Sequence, residues 1–224
     1  GADLSGIQLG WYFFLNDIWR FPLGDNPNYG EELSLSIAFS DAIPILALFF
    51  KLFKYFIPDN FQYFSLWYFI CFYFQLYFSF KILKKFTNST LYSFIGSIFF
   101  LIAPILLYRL SWAHALSGQW ILLFALYVGL TKKISKSNAV WIFIIILSSL
   151  INYNFTLVTL IAYSILRLSD FTLSTDGFFK ISKDFIILST LLLSTFYVVG
   201  YFEIRMVDAL GVGFGNYKLN LLSM

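Results

Sequence analysis

Charge is what this chain has least of. Lys, Arg, Asp and Glu make up 12% of its 224 residues, against about 25% in soluble domains. Half the usual charge leaves too little polar surface to cover a globule in water, so the composition excludes an ordinary soluble domain and points to an integral membrane protein. Cysteine is almost absent: Cys71 stands alone inside FICFYF, so no disulfide can form within the chain. Histidine is limited to His114, which rules out a paired-histidine zinc site. A net charge of +3 without a long basic run gives no nucleic-acid surface. No glycine-rich phosphate loop precedes a Lys-Ser/Thr pair, and no nucleophile elbow occurs. GVGFG at Gly211–Gly215 has dinucleotide-like glycine spacing but lacks the strand–helix–strand setting that spacing requires. The opening GADLSG has neither the basic region nor the apolar core of a signal peptide.

Apolar and aromatic side chains fill the space that charge leaves. Mean hydropathy is +0.77, and aromatics reach 22%, with 29 Phe. A membrane-spanning helix needs about 20 residues. The runs that qualify, or nearly do, are Phe61–Phe80, Leu91–Tyr108, Gly118–Leu130 with an extension back toward His114, Ala139–Ile151, Phe155–Leu166 and Phe185–Tyr201. Asn152, Tyr153 and Asn154 interrupt the stretch from Ala139 to Leu166, so this region is expected to form a tight helical hairpin. Gln62 and Gln75, in or beside the first run, are expected to bond a neighbouring helix. The fold class expected is all-α, a polytopic transmembrane bundle.

Basic residues orient it. If the six runs alternate, Lys81, Lys84, Lys85, Lys132, Lys133, Lys136, Arg167, Lys180 and Lys183 fall on one side, while most acids fall on the other. The Lys-rich side is then cytoplasmic. Residues 1–60 form a large outer loop, 61–206 the bundle and 207–224 the start of a further outer loop. Ala42–Ile57 is short and carries Lys51 and Lys54, so it is expected to lie along the membrane surface rather than span it. Leu9–Trp19 reads as a second interfacial helix with Trp11 and Trp19 as aromatic anchors, and RFPLGDNPNYG as a string of turns. A chain beginning at GADLSG without Met is expected to follow a preceding span, which would deliver Asp3 to the outer face. Asp41, followed by Pro44, has the pattern of a helix N-cap. NST at Asn88 and NFT at Asn154 match the glycosylation pattern, but one lies on the inner side and the other at a tight turn. His114 near a span end has the ordinary reading of a hydrogen-bonded packing residue.

The stretches GADLSGIQLGWYFF, WRFPLG, NPNYG, SDAIPILALFFK and FQYF, then LLYRL, ALSGQWILLFALY, INYNFTLV and GFGNYKLNLLS, occur in that order over nearly the whole chain. In this order they resemble a bacterial family of multi-pass membrane proteins that carries a domain-of-unknown-function label and is grouped with the GT-C glycosyltransferases. The resemblance implies a GT-C-like bundle in the bacterial inner membrane with the first loop on the periplasmic side. It implies transfer of a sugar from a polyprenyl-phosphate donor, with membrane lipids as surroundings and no nucleic acid. It also implies a catalytic carboxylate early in the first outer loop, where Asp3 matches, with Asp41 in FSDAIP as the second candidate. A carboxylate at the water–lipid boundary can accept a proton from an attacking hydroxyl. Arg20, Arg109 and Lys218 are candidates to hold the leaving phosphate, and Asn26, Asn28, Tyr29 and His114 to contact the substrate. If a divalent ion takes part, Asp3 and Asp41 are its candidate ligands. A flippase or transporter of lipid-linked glycans and a non-enzymatic scaffold are the competing readings. The near absence of charge within the spans weighs against transport.

Overall fold

The computed structural model of the chain describes residues 2–29, 35–169 and 175–203. The fold is all-α. Helix α1 runs Ala2–Asn16, α2 Pro44–Leu52, α3 Phe64–Phe86, α4 Thr90–Leu101, α5 Pro104–Trp112, α6 Trp120–Gly129, α7 Lys132–Ser135, α8 Asn138–Ile151, α9 Tyr153–Ser169 and α10 Thr175–Val199. Two-residue strands β1 (Asp25–Asn26) and β2 (Leu35–Ser36) pair antiparallel, Asp25 opposite Ser36. Among the described residues three helical stretches are long and apolar enough to cross a membrane: Phe64–Phe86, Thr90–Trp112 and Ile181–Val199. With their largely apolar surfaces they make this a membrane protein. Large side chains such as Phe69, Phe99 and Leu193 stand exposed on these stretches, as lipid-facing positions require.

The bundle packs α3 against α4 and α6, α6 against α9, and α8 against α9 and α10. The expected Leu91–Tyr108 span is broken into α4 and α5 at Ile102–Ala103. Pro104 lacks an N–H and forces Ala103 out of the helical region, to ψ 123°. The α8–α9 hairpin breaks at Asn152 alone; Tyr153 and Asn154 already belong to α9. Gln75 of α3 donates to the Phe100 carbonyl of α4 at 3.4 Å, the interhelical bond expected of it.

The N-terminal segment covers one end of this bundle, formed by the start of α3, the break between α8 and α9, and the end of α10. Leu23 N–H donates to the Val198 carbonyl (2.8 Å), Ser36 Oγ to the Val199 carbonyl (2.8 Å) and Tyr201 Oη to the Ser149 carbonyl (2.6 Å). The turns expected in RFPLGDNPNYG are present, with Asp25 N–H bonded to Pro22 O and Tyr29 N–H to Asn26 O. Lys84, Lys85, Lys132, Lys133, Lys136 and Arg167 gather at the opposite end, around the termini of α3, α6 and α9.

Three local expectations change. The first helix starts at Ala2 rather than Leu9, so Asp3 lies in the first turn of α1, where the helix dipole favours a carboxylate. Trp11 is not an interfacial anchor: it is fully buried and donates to the Phe61 carbonyl at 2.7 Å, while Trp19 stays exposed. Helix α2 is only nine residues long, and Lys51 within it and Lys54 just beyond it both reach back to α1 and the residues that follow it. Lys54 Nζ donates to the Asn16 carbonyl at 3.0 Å, and Lys51 Nζ lies 3.4 Å from the Ile18 carbonyl and 3.8 Å from the centre of the Phe14 ring. The free carbonyls at and just beyond the end of α1 are thus met by ammonium groups, which the dipole at that end also favours.

Candidate functional site

Asp41 is the acid that the fold draws inward. It sits between the single-turn helix Ile37–Phe39 and α2, and it does not cap α2 as its spacing suggests. The N-cap is Ile43, which makes no side-chain capping bond, and Pro44 occupies the first turn. The reason is backbone direction. Asp41 and Ile43 both have positive φ, 55° and 50°, which turns the Asp41 side chain away from α2. A β-branched residue in that region is a genuine outlier, costing on the order of 1–3 kcal/mol. The turn is held by the Tyr63 hydroxyl, which donates to the Ala42 carbonyl between them. On its other side Ser40 presses on α1 so closely that a Cβ at Gly10 would lie 2.8 Å from the Ser40 Cβ; only glycine fits there.

The carboxylate of Asp41 accepts the Ala115 N–H at the start of the Ala115–Ser117 turn, and the Asn152 amide approaches it at 3.5 Å. Arg109, on α5, supplies positive charge from a distance without pairing. Desolvation outweighs all three and pushes the Asp41 carboxyl up to about 6. Arg109 is half-buried, its guanidinium carbon 4.8 Å from the centre of the Trp112 ring. Helix α1 packs against α5 as well, so Asp3 and Arg109 belong to neighbouring elements; the Asp3 side chain lies outside the described residues.

Below this polar cluster lies an apolar groove of about 370 Å³, with no polar surface in its lining. Trp67, Ile70, Phe74 and Phe78 form its floor, a single stripe of α3 about 16 Å long at 1.5 Å per residue. Its upper walls are Ile45 and Leu46, one turn beyond Asp41, and Ile151, the residue before Asn152. At this upper end Trp67 Nε1 donates to the His114 carbonyl at 2.7 Å and lies 3.1 Å from Ser117 Oγ. Gly118 lies where this turn passes between helices: a Cβ there would sit 2.9 Å from Ile151 and 3.0 Å from Trp67.

The remaining candidates separate. Arg20 is engaged with Asp17 in a side-chain ion pair. Asn26 is fully buried, with its amide donating to the Gly10 carbonyl at 2.8 Å and its Oδ1 without a partner among the described residues. Asn28 is exposed. The Tyr29 hydroxyl lies along α1, 3.4 Å from where a Cβ of Gly6 would stand, one turn from Asp3. His114 is 2% exposed, packed on Phe64 and bonded through Nδ1 to the Tyr68 hydroxyl at 2.5 Å. Burial lowers its affinity for a proton. Lys218 lies outside the described residues. Asp41, Arg109 and the backbone beside His114 are therefore brought together, while Arg20 and Asn28 stand apart from them.

The immediate partners of Asp41 are N–H donors, with a guanidinium farther off. That donor set does not suit a divalent cation, which needs several oxygen ligands. Among the described residues no three His, Cys, Asp or Glu side chains cluster for a metal. Asn152 is the residue the sequence reading did not select; between two apolar runs it reads only as a break. The NFT pattern does not present an open acceptor site, because Thr156 is 3% exposed and its hydroxyl oxygen accepts from Ser148 Oγ at 3.5 Å.

No curated protein and no solved structure matches the chain. One family pattern does, along its whole length: the chain belongs to the DUF6311 family, described as a domain of unknown function, which matches residues 1–224.

Proposed function

We propose that this protein is a membrane glycosyltransferase of the GT-C type that transfers a sugar from a polyprenyl-phosphate donor on the outer face of a bacterial inner membrane. One observation carries the reading: an all-apolar groove of about 370 Å³ ends among the residues that adjoin Asp41 and Asn152. A lipid whose chain lay along Trp67, Phe74 and Phe78 would present its headgroup to a half-buried carboxylate and a cation that has no ion-pair partner among the described residues. Small-molecule sites combine apolar walls with a few convergent polar groups in this way.

The chemistry balances with the residues present. The acceptor hydroxyl gives its proton to a carboxylate, and its oxygen forms a bond to the anomeric carbon. The bond from that carbon to the phosphate oxygen breaks, and its electron pair leaves with the phosphate. Asp41, held near 6, is ionised at neutral pH and more basic than an ordinary carboxylate. Arg109 is the cation placed to stabilise the departing phosphate. Asp3, on the neighbouring α1, is the alternative base, and its test is the same.

In the purified protein, incubated with a polyprenyl-phosphate sugar labelled in the sugar, Asp41→Asn or Asp3→Asn should reduce transfer by about 100-fold or more while leaving expression intact. Transfer unchanged in both variants would sink the assignment. Transport is disfavoured by the buried polar groups of the helices: Ser79, Ser93, Ser148 and Ser149 bond carbonyls of their own helix or its cap, at 2.6, 2.8, 2.7 and 2.7 Å, rather than lining a path.

A further inference from the structure

The break between α8 and α9 is made by one residue, Asn152, whose carbonyl accepts the Phe155 N–H at 3.1 Å. Asn152 N–H closes α8 on the Ser148 carbonyl at 2.9 Å. Its side-chain Oδ1 accepts the Asn154 N–H at 3.0 Å, which is the N-cap bond of α9. The same Oδ1 accepts the Asn154 side-chain amide at 2.9 Å. With two donors converging on the oxygen, the amide orientation is fixed by the network, and its NH₂ end is the end left to face outward. That end points at Asp41 Oδ1, 111 residues away in sequence, at 3.5 Å.

We propose that Asn152, locked by Asn154, is a positioning residue that holds the Asp41 carboxylate at the mouth of the apolar groove in its ionised form. This rests on the reading of Asp41 as the proton acceptor, and the experiment below separates the two. The separation of 3.5 Å is the long limit of a hydrogen bond, and such bonds shorten when the acceptor carries charge. The other groups facing Asp41 are the Ala115 N–H from the Ala115–Ser117 turn and the more distant Arg109 from α5. Neither can replace Asn152. The Ala115 N–H is fixed to its own turn, and Arg109 acts without contact. A capping role alone would need only the Asn152 oxygen. It would leave the orientation of the nitrogen without consequence, and it would not need the second bond from Asn154.

The test is to titrate Asp41 directly, by infrared spectroscopy of protein carrying carboxyl-¹³C aspartate in lipid nanodiscs, with the band assigned by its loss in Asp41→Asn. Asn152→Ser keeps an N-cap oxygen for α9 but has no group that reaches Asp41. The expected result is a rise in the Asp41 midpoint of about one pH unit, the size of one lost hydrogen bond to a charged group. Asn152→Asp also keeps the cap and should raise the midpoint further, by setting like charges together. Asn154→Ala, at an exposed position, should raise it by a smaller amount, and should add nothing in the Asn152→Ser background. A midpoint unmoved in both Asn152 variants overturns the proposal, and so does an Asn154 effect that persists in the double variant. If the midpoint moves as expected while Asp41→Asn transfers sugar normally, the positioning role stands and the reading of Asp41 as the proton acceptor fails.

Discussion

Two charged side chains of the N-terminal segment, Lys51 and Asp41, are withdrawn from water about ten residues apart, and their surroundings differ in kind. Lys51 is 2% exposed, and its ammonium turns inward onto α1 and the residues just after it. It lies 3.8 Å from the Phe14 ring centre and 4.8 Å from that of Trp19, reaches the Ile18 carbonyl, and has Asp17 in electrostatic range. Asp41 is held by one backbone N–H, one amide at the limit of bonding, and a cation that does not touch it. The lysine is a strut joining α2 to α1. The aspartate is an acceptor with capacity left over, set in a strained turn at the end of a groove. Backbone strain and a groove at one site, beside ring and backbone packing at the other, distinguish a residue kept for chemistry from one kept for packing.

The comparison breaks first on activity. Asp41→Asn should cost about 100-fold or more in sugar transfer, whereas Lys51→Met should leave transfer per folded molecule within about threefold, measured on protein matched for its folded fraction. Comparable losses in both would mean that Lys51 also belongs to the site. It breaks next on stability, in the opposite order. Lys51→Ala removes a buried side chain with its carbonyl and ring contacts, and should lower stability by about 2–4 kcal/mol in thermal or denaturant unfolding. Asp41→Asn should not destabilise at pH 8, since an amide avoids the desolvation of a charge and asparagine tolerates positive φ.

A smaller and sharper contrast lies in pH dependence. The Asp41 carboxyl titrates higher when folded, from 3.8 to about 6. The stability it contributes is therefore full below 3.8 and lost as the pH rises through about 6. Lys51 titrates lower when folded, from 10.5 to about 8. Its contribution is full above 10.5 and lost as the pH falls through about 8. Melting temperatures followed across pH should lose the first slope in Asp41→Asn and the second in Lys51→Met. Slopes that survive in the respective variants would show that other groups set them.

Much of the helical framework is written in local composition. Phe64–Phe86 and Ile181–Val199 are apolar runs in which no alternative to a helix satisfies the backbone in lipid, so length and hydropathy suffice. The break after Ile102 follows from Pro104. The site was half legible. Asp41 stands out as an acid beside a greasy run, and Arg109 as a lone cation, but the spacing of Asp41 and Pro44 pointed to a cap that the positive φ at Asp41 and Ile43 prevents. Backbone torsions at two non-glycine residues are imposed by what packs around them, here Tyr63 bonded to Ala42 and Ser40 pressed on Gly10.

By itself the sequence determined that the chain lives in a membrane and that it is helical, because each of these depends on the solvation of residues taken in short windows. Only the tertiary structure decided that Lys51 is interior, that Trp11 is core rather than anchor, and that Asn152 meets Asp41. Those facts depend on pairs separated by 33, 50 and 111 residues. No local pattern encodes such pairs, because the energy that forms them is that of the whole bundle closing around its N-terminal segment.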